Sequence, residues 1–247
     1  MFSGLIEGAA AYLSAFKIIR EYSLWKYVII SGLISAIFGF IILLSIWQSA
    51  DYVGDWVGSF YSWDFGKSFF NRLIDYFAGG LMIVLGLILY KYVIMVIVSP
   101  FMSLMSEAIE RKENQLYISP TFSLSKFVSD LLRGLRIAVG NLSKELGLTL
   151  VIFIIGLFPL FTIATPVLLF LVQSYYAGFG NIDYYLERHA SVRESKRFVR
   201  RHKGLAIGNG AVFMLLLLIP VVGLFLAPAL GTVAATTQAM KRHEINI

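Results

Sequence analysis

Cysteine is absent from the 247 residues, which excludes a disulfide framework, a thiolate nucleophile and cysteine-held zinc or iron–sulfur sites. Histidine is nearly absent: His189, His202 and His243 fall in basic polar stretches, none with a second His, Asp or Glu at metal-ligand spacing on a shared helical face. No metal and no other cofactor is therefore expected. Charge is also scarce, at 15% of residues against 58% hydrophobic, and the mean hydropathy of +0.76 excludes a water-soluble monomer. The phosphate-binding GxxxxGK[ST], GxSxG, HExxH and GxGxxG are all missing; Gly208-Asn209-Gly210 is too short to replace them, and Asp51, Asp55 and Asp64 are not at calcium-loop spacing. No enzyme is expected. The net charge of +6 does not point to nucleic acid, because the basic residues lie between long apolar runs and not along one soluble face.

Hydrophobic runs of membrane length are what the chain has instead. Tyr27 to Trp47 carries no charge, enough to cross a hydrocarbon core of about 30 Å, and Trp25 and Trp47 mark its ends as an aromatic belt would. Within it Ser31, Gly32, Ser35, Ala36 and Gly39 form a small-residue stripe, read as a surface for close packing by another helix. A second run, Tyr76 to Met105, is interrupted only by Lys91 and Pro100, and Lys91 is expected to snorkel toward an interface. Between the two, Gln48 to Asp75 reads as an acidic, aromatic interfacial loop. Residues 1–26 read as an interfacial helix, with Leu5, Ala9, Tyr12, Leu13, Phe16 and Ile19 at helical spacing and no secretory signal pattern.

Two further apolar regions, 147–174 and 205–240, share a pattern. Each has an arm of about a dozen residues, a first proline (Pro159, Pro220), six or seven residues, and a second proline (Pro166, Pro228) opening another arm. At about 1.5 Å per residue such an arm reaches roughly 18–20 Å, short of a full crossing. The uncharged tips, Leu160 to Thr165 and Val221 to Ala227, are expected to stay inside the membrane. Pro166 and Pro228 are read as first helical residues, with Thr165 as an N-cap, so that two helix N-termini point into the bilayer; the alternative, of equal weight, is that the prolines only turn the chain.

Positive charge sets the orientation. Lys and Arg number three before the first span, two in Gln48 to Asp75, six in Ser106 to Leu146, seven in Asn181 to Lys203 and two after Met240. If both hairpins return to the side they came from, every rich segment is cytoplasmic, as the positive-inside rule requires. Ser191-Val192-Arg193-Glu194 matches a capping box, so Val192 to Lys203, followed by Gly204, reads as a basic surface helix facing anionic lipid. A second polar helix is expected over Leu124 to Glu145, with Arg133 and Arg136 on one face.

Ala15-Phe16-Lys17 before the first span, Ser99-Pro100-Phe101 followed by Glu107 and Glu110, and the proline pairs Pro159/Pro166 and Pro220/Pro228 together resemble the CysZ-type sulfate permeases and the wider etoposide-induced protein family. The resemblance implies an all-α integral membrane fold: two long transmembrane helices (27–47 and 76–105), two hemi-penetrating hairpins and amphipathic surface helices in a single domain, 1–247. It further implies oligomeric assembly and, in the CysZ branch, sulfate uptake. The chain departs from that branch where its members carry a Gly-Leu-Arg element that binds sulfate, for here the residues are Ser23-Leu24-Trp25-Lys26. Lysine cannot reproduce arginine's bidentate fork. The Arg-Glu pair before the first hairpin is likewise replaced, at the simplest alignment, by Ile137 and Ala138, with Lys144-Glu145 two turns later. The resulting expectation is a multi-pass inner-membrane homo-oligomer that moves sulfate or another small inorganic anion. Ser23, Leu24 and Lys26 would accept the anion, Arg133 and Arg136 would attract it, and the hairpin tips would line its path. The alternative is a non-transporting membrane scaffold of the same fold.

Overall fold

The computed structural model describes residues 2–59, 67–115, 123–158, 160–219 and 222–244. Among the described residues the chain forms eight helices and no strand: α1 Phe2–Glu21, α2 Trp25–Ser59, α3 Lys67–Glu113, α4 Leu124–Gly156, α5 Ala164–Leu186, α6 Val192–Arg201, α7 Lys203–Leu217 and α8 Val222–Glu244. Four stretches, Phe2–Glu21, Trp25–Ile42, Ile88–Glu113 and Leu124–Gly156, are long and apolar enough to cross a membrane.

Several boundaries differ from those read in the sequence. The segment taken as an interfacial loop is helical over 48–59 and 67–75, because no proline between 48 and 75 removes a backbone donor; residues 60–66 lie outside the described residues. The polar helix expected over Leu124 to Glu145 and the apolar arm after it are one helix, α4. Gly147 does not divide them, since a glycine inside a helix costs only about 1 kcal/mol. Pro100 does not end α3 either. The carbonyl of Val96, which proline leaves without its helical donor, accepts the Ser99 hydroxyl at 2.8 Å. The basic helix α6 has the expected capping box but stops at Arg201, where His202 leaves helical geometry (φ −110°, ψ 37°). Gly204 therefore lies in the first turn of α7, against Gly4 of α1, and does not terminate α6.

The hairpin prolines also sit elsewhere than expected. Pro166 is the third residue of α5, Ile163 occupies the cap, and the Thr165 hydroxyl donates to the Phe161 carbonyl at 3.0 Å and caps nothing. Pro228 is the seventh residue of α8, which begins at Val222. In both cases the helix starts before the proline; at Pro166 the missing N–H is one the first turn leaves unpaired in any sequence. Pro159 and Pro220 lie outside the described residues.

α3 and α4 run antiparallel, and α5 returns beside them. α7 lies between α1 and α5 at backbone distance: a Cβ on Gly210 would sit 1.8 Å from the Ser174 carbonyl oxygen, and one on Gly8 2.5 Å from that of Leu205. α8 packs its small face, Ala227, Ala229, Val233, Ala234, Ala235 and Ala239, into the centre. The small-residue stripe of α2 is buried as its composition implied, with Gly32 against the Phe225 ring of α8. Large apolar side chains remain exposed along α2 (Leu33, Ile37, Phe40, Ile41) and α4 (Leu132, Leu135, Val139, Leu150, Val151). A surface of that composition is stable against lipid, not water. The tip of the first hairpin is equally apolar and open: Leu160 is 85% exposed and Ile163 89%.

Candidate functional site

Two polar features interrupt this apolar body. The first is the turn joining α1 to α2. Leu24 is buried and anchors the turn, while Ser23, Trp25 and Lys26 face outward. Ser23 adopts a left-handed backbone (φ 56°), which costs a residue with a Cβ about 1–2 kcal/mol and which the contacts on either side impose. On one side the Tyr22 hydroxyl donates to Glu113 at the end of α3 (2.8 Å); burial, then the Glu113 carboxylate, push that phenol up to about 12. On the other, Trp25 packs edge-on against Phe16 (5.6 Å between centroids), and the Lys26 ammonium stands 4.9 Å from the Tyr27 ring centroid. Lys26 makes no ion pair among the described residues.

The second feature is a polar column through α3, α4 and α5. At its top Lys91 does not snorkel: its side chain is 0% exposed and its ammonium lies 2.6 and 2.7 Å from the two oxygens of Glu145. Position decides this, because residue 91 faces α4 and α5 instead of lipid, and the Tyr92 hydroxyl on Glu145 (2.8 Å) completes a neutral, hydrogen-bonded cluster. Lys144, its sequence neighbour, is exposed. One turn further along α3, Tyr184 donates to the Met95 carbonyl (3.0 Å). Lower still, the Arg133 fork grips Asp183 at 3.1 and 3.2 Å and also donates to the Ala190 carbonyl (2.8 Å) and the Ser195 hydroxyl (2.9 Å), locking α4 to α5 and α6. Arg136, one turn on, is exposed without a partner among the described residues.

The base of the column is a network of ion pairs. Glu107 takes Arg111 (2.6 Å) and Lys126; Glu110 takes Arg188 (3.0 Å) and His189 (2.7 Å). Arg188 also donates to Ser106 and to the carbonyls of Ser103 and Tyr184. Through Glu107 and Glu110 these contacts fasten α3 to α4 and to the end of α5. Between base and top runs a cleft lined by Tyr92, Ser99, Asn141, Tyr176, Asp183 and Glu187, whose volume open to water-sized spheres is about 20 Å³, room for about one water.

The chain therefore separates the sequence-predicted residues. Ser23, Leu24 and Lys26 share one exposed turn, Arg133 is committed inside, Arg136 is outside, and Thr165 and Pro166 sit at an apolar tip. Sequence reasoning passed over Asp183, Glu187, Arg188 and the buried pair Asn181–Asn209 (2.9 Å) that joins α5 to α7. A usable signal existed for one cluster: Lys91, inside one apolar run, and Glu145, at the edge of another, are opposite charges, and such charges pair. Among the described residues no group of three His, Asp or Glu is placed to hold a metal.

Among the described residues, eight helices, four of which contain a stretch of membrane-crossing length and composition, and an apolar outer surface define a multi-pass α-helical membrane protein. Residues 11–228 match the family described as sulfate transporter CysZ/etoposide-induced protein 2.4, and the chain belongs to that family. No curated protein matches it.

Proposed function

We propose that the chain moves sulfate or a related small inorganic anion across the cell inner membrane, as a homo-oligomer with no cofactor or ATP chemistry of its own. The observation that carries this reading is the family match over 11–228. In this reading the turn Ser23–Lys26 accepts the anion: Lys26 supplies a free positive charge and Ser23 a hydroxyl, both exposed on a turn whose backbone is held by Leu24. Arg136 attracts the anion, and Arg133 positions α4 against α5 instead of touching it. In this reading both hairpins stop midway in the bilayer because their tips carry no charge to hold them in water, and in the second α7, at 15 residues, spans only about 22 Å. The basic helix α6, with Arg193, Arg197, Arg200 and Arg201 exposed, then lies on anionic lipid at the cytoplasmic face. A cleft with room for about one water, lined by Asp183 and Glu187, is too narrow and too acidic for an oxyanion, which supports placing the path, in this reading, between copies of the chain.

The same narrow cleft is the observation that favours the rival, a scaffold that transports nothing. Uptake of labelled sulfate into liposomes separates the two. Transport predicts saturable uptake above empty liposomes, reduced at least about tenfold, or about 1.4 kcal/mol, in Lys26→Ala and unchanged in Lys196→Ala. No uptake of any competing inorganic anion establishes the scaffold.

A further inference from the structure

The lower end of the cleft between α3, α4 and α5 contains a carboxyl group, Glu187, with no ion-pair partner of its own among the described residues. Glu187 follows the last residue of α5 and lines the cleft; its Oε1 is sealed from solvent and has no hydrogen-bond partner. The charged and titratable groups around it are Asp130 from α4 and Asp183, Tyr184 and Arg188 from its own stretch of chain, with the Ser103 hydroxyl reaching in from α3. None of these supplies an uncommitted cation. Arg188 is taken up by Glu110, Ser106 and two carbonyls, Arg133 is spent on Asp183, and Lys126 is bound to Glu107. Glu187 thus faces two further carboxyl groups with no charge of its own to pair with. A half-buried carboxylate with one oxygen sealed among other carboxyl groups is costly, and the cheapest remedy is a proton.

We propose that this cleft is a proton-binding site, with Glu187 as the group that holds the proton and the water-sized space beside it as the exchange route. The step is simple and balanced: a hydronium ion in the cleft gives up one proton, an O–H bond forms on the Glu187 carboxylate, and water remains. The ligand class is the proton, and the carboxyl groups that favour it exclude an anion from the same space. Burial first, then the charges of Asp130 and Asp183, push the Glu187 carboxyl up to about 8, so the group is protonated at neutral pH.

Difference infrared spectroscopy of the full chain in lipid, recorded as pH is raised, tests the assignment without any anion flux. It therefore stands or falls separately from the uptake assay. The expected result is a protonated-carboxyl stretch at neutral pH that disappears with a midpoint near pH 8 and is missing from Glu187→Gln. A second variant, Asp130→Asn, removes a neighbouring charge and is expected to lower that midpoint while leaving the band in place. The proposal is overturned by a titrating band that persists in Glu187→Gln, by the absence of any carboxyl band titrating above about pH 6, where ordinary carboxyls are already ionised, or by a midpoint that Asp130→Asn does not move.

Discussion

Single residues in this protein are decided by what stands opposite them. Lys91 read in isolation is a long cation in an apolar run, for which snorkelling is the cheap solution; with Glu145 and Tyr92 opposite, it is buried completely. A buried pair of this kind adds little net stability, but half of one is expensive. Glu145→Ala is expected to lower the unfolding free energy in detergent by about 3–5 kcal/mol, and Lys91→Met combined with Glu145→Leu to recover most of that loss. A double-mutant cycle on denaturant unfolding measures it; additive losses in the two single variants would show that the two charges do not depend on each other. Glu145 lay in plain view beside the first apolar arm. Its partner 54 positions away did not, because pairing across helices is set by their register.

Helices were more legible than the joints between them. The capping box at Ser191 and Glu194 placed the start of α6 correctly, since the motif is satisfied by four consecutive residues and needs no tertiary partner. A break was over-read near Gly147, where α4 continues, because a glycine inside a helix costs only about 1 kcal/mol. Other glycines show the reverse. Gly210 gives no sequence signal beyond a short Gly-Asn-Gly, yet it is where α7 meets α5 at backbone distance, with Ser174 oxygen 1.8 Å from where a Cβ would stand. Gly210→Val is therefore expected to separate the two helices and cost about 1–3 kcal/mol or more, seen as a lower thermal midpoint in detergent. An equivalent substitution at Gly147, which has nothing within 4 Å of its Cβ position, is expected to be tolerated.

At the scale of the molecule the open question is how deep the hairpins reach. The chain's lack of cysteine makes this directly measurable, because a single introduced thiol is the only one present. Leu160→Cys, at the fully open apolar tip of the first hairpin, is expected to resist a membrane-impermeant maleimide added to either face, while Arg193→Cys on α6 reacts from the cytoplasmic face alone. Labelling of Leu160→Cys from the outer face would mean that α4 and α5 cross the bilayer completely. The uptake assay belongs to the same scale: if the path lies between copies, transport requires the assembly, not the isolated chain.

The sequence by itself determined that this is a helical membrane protein with basic segments, an acidic aromatic segment, two proline-marked turns and no cysteine. These properties are sums over composition and spacing, and no contact is needed to read them. Tertiary structure alone decided which charges are spent and which remain available. Arg133 and Lys91 are consumed in pairs, Lys26 and Arg136 stay exposed, and the Glu187 Oε1 has no hydrogen-bond partner among the described residues. Charge neutralisation acts over a few ångströms between helices far apart in the chain, so it follows from their register and not from the order of residues.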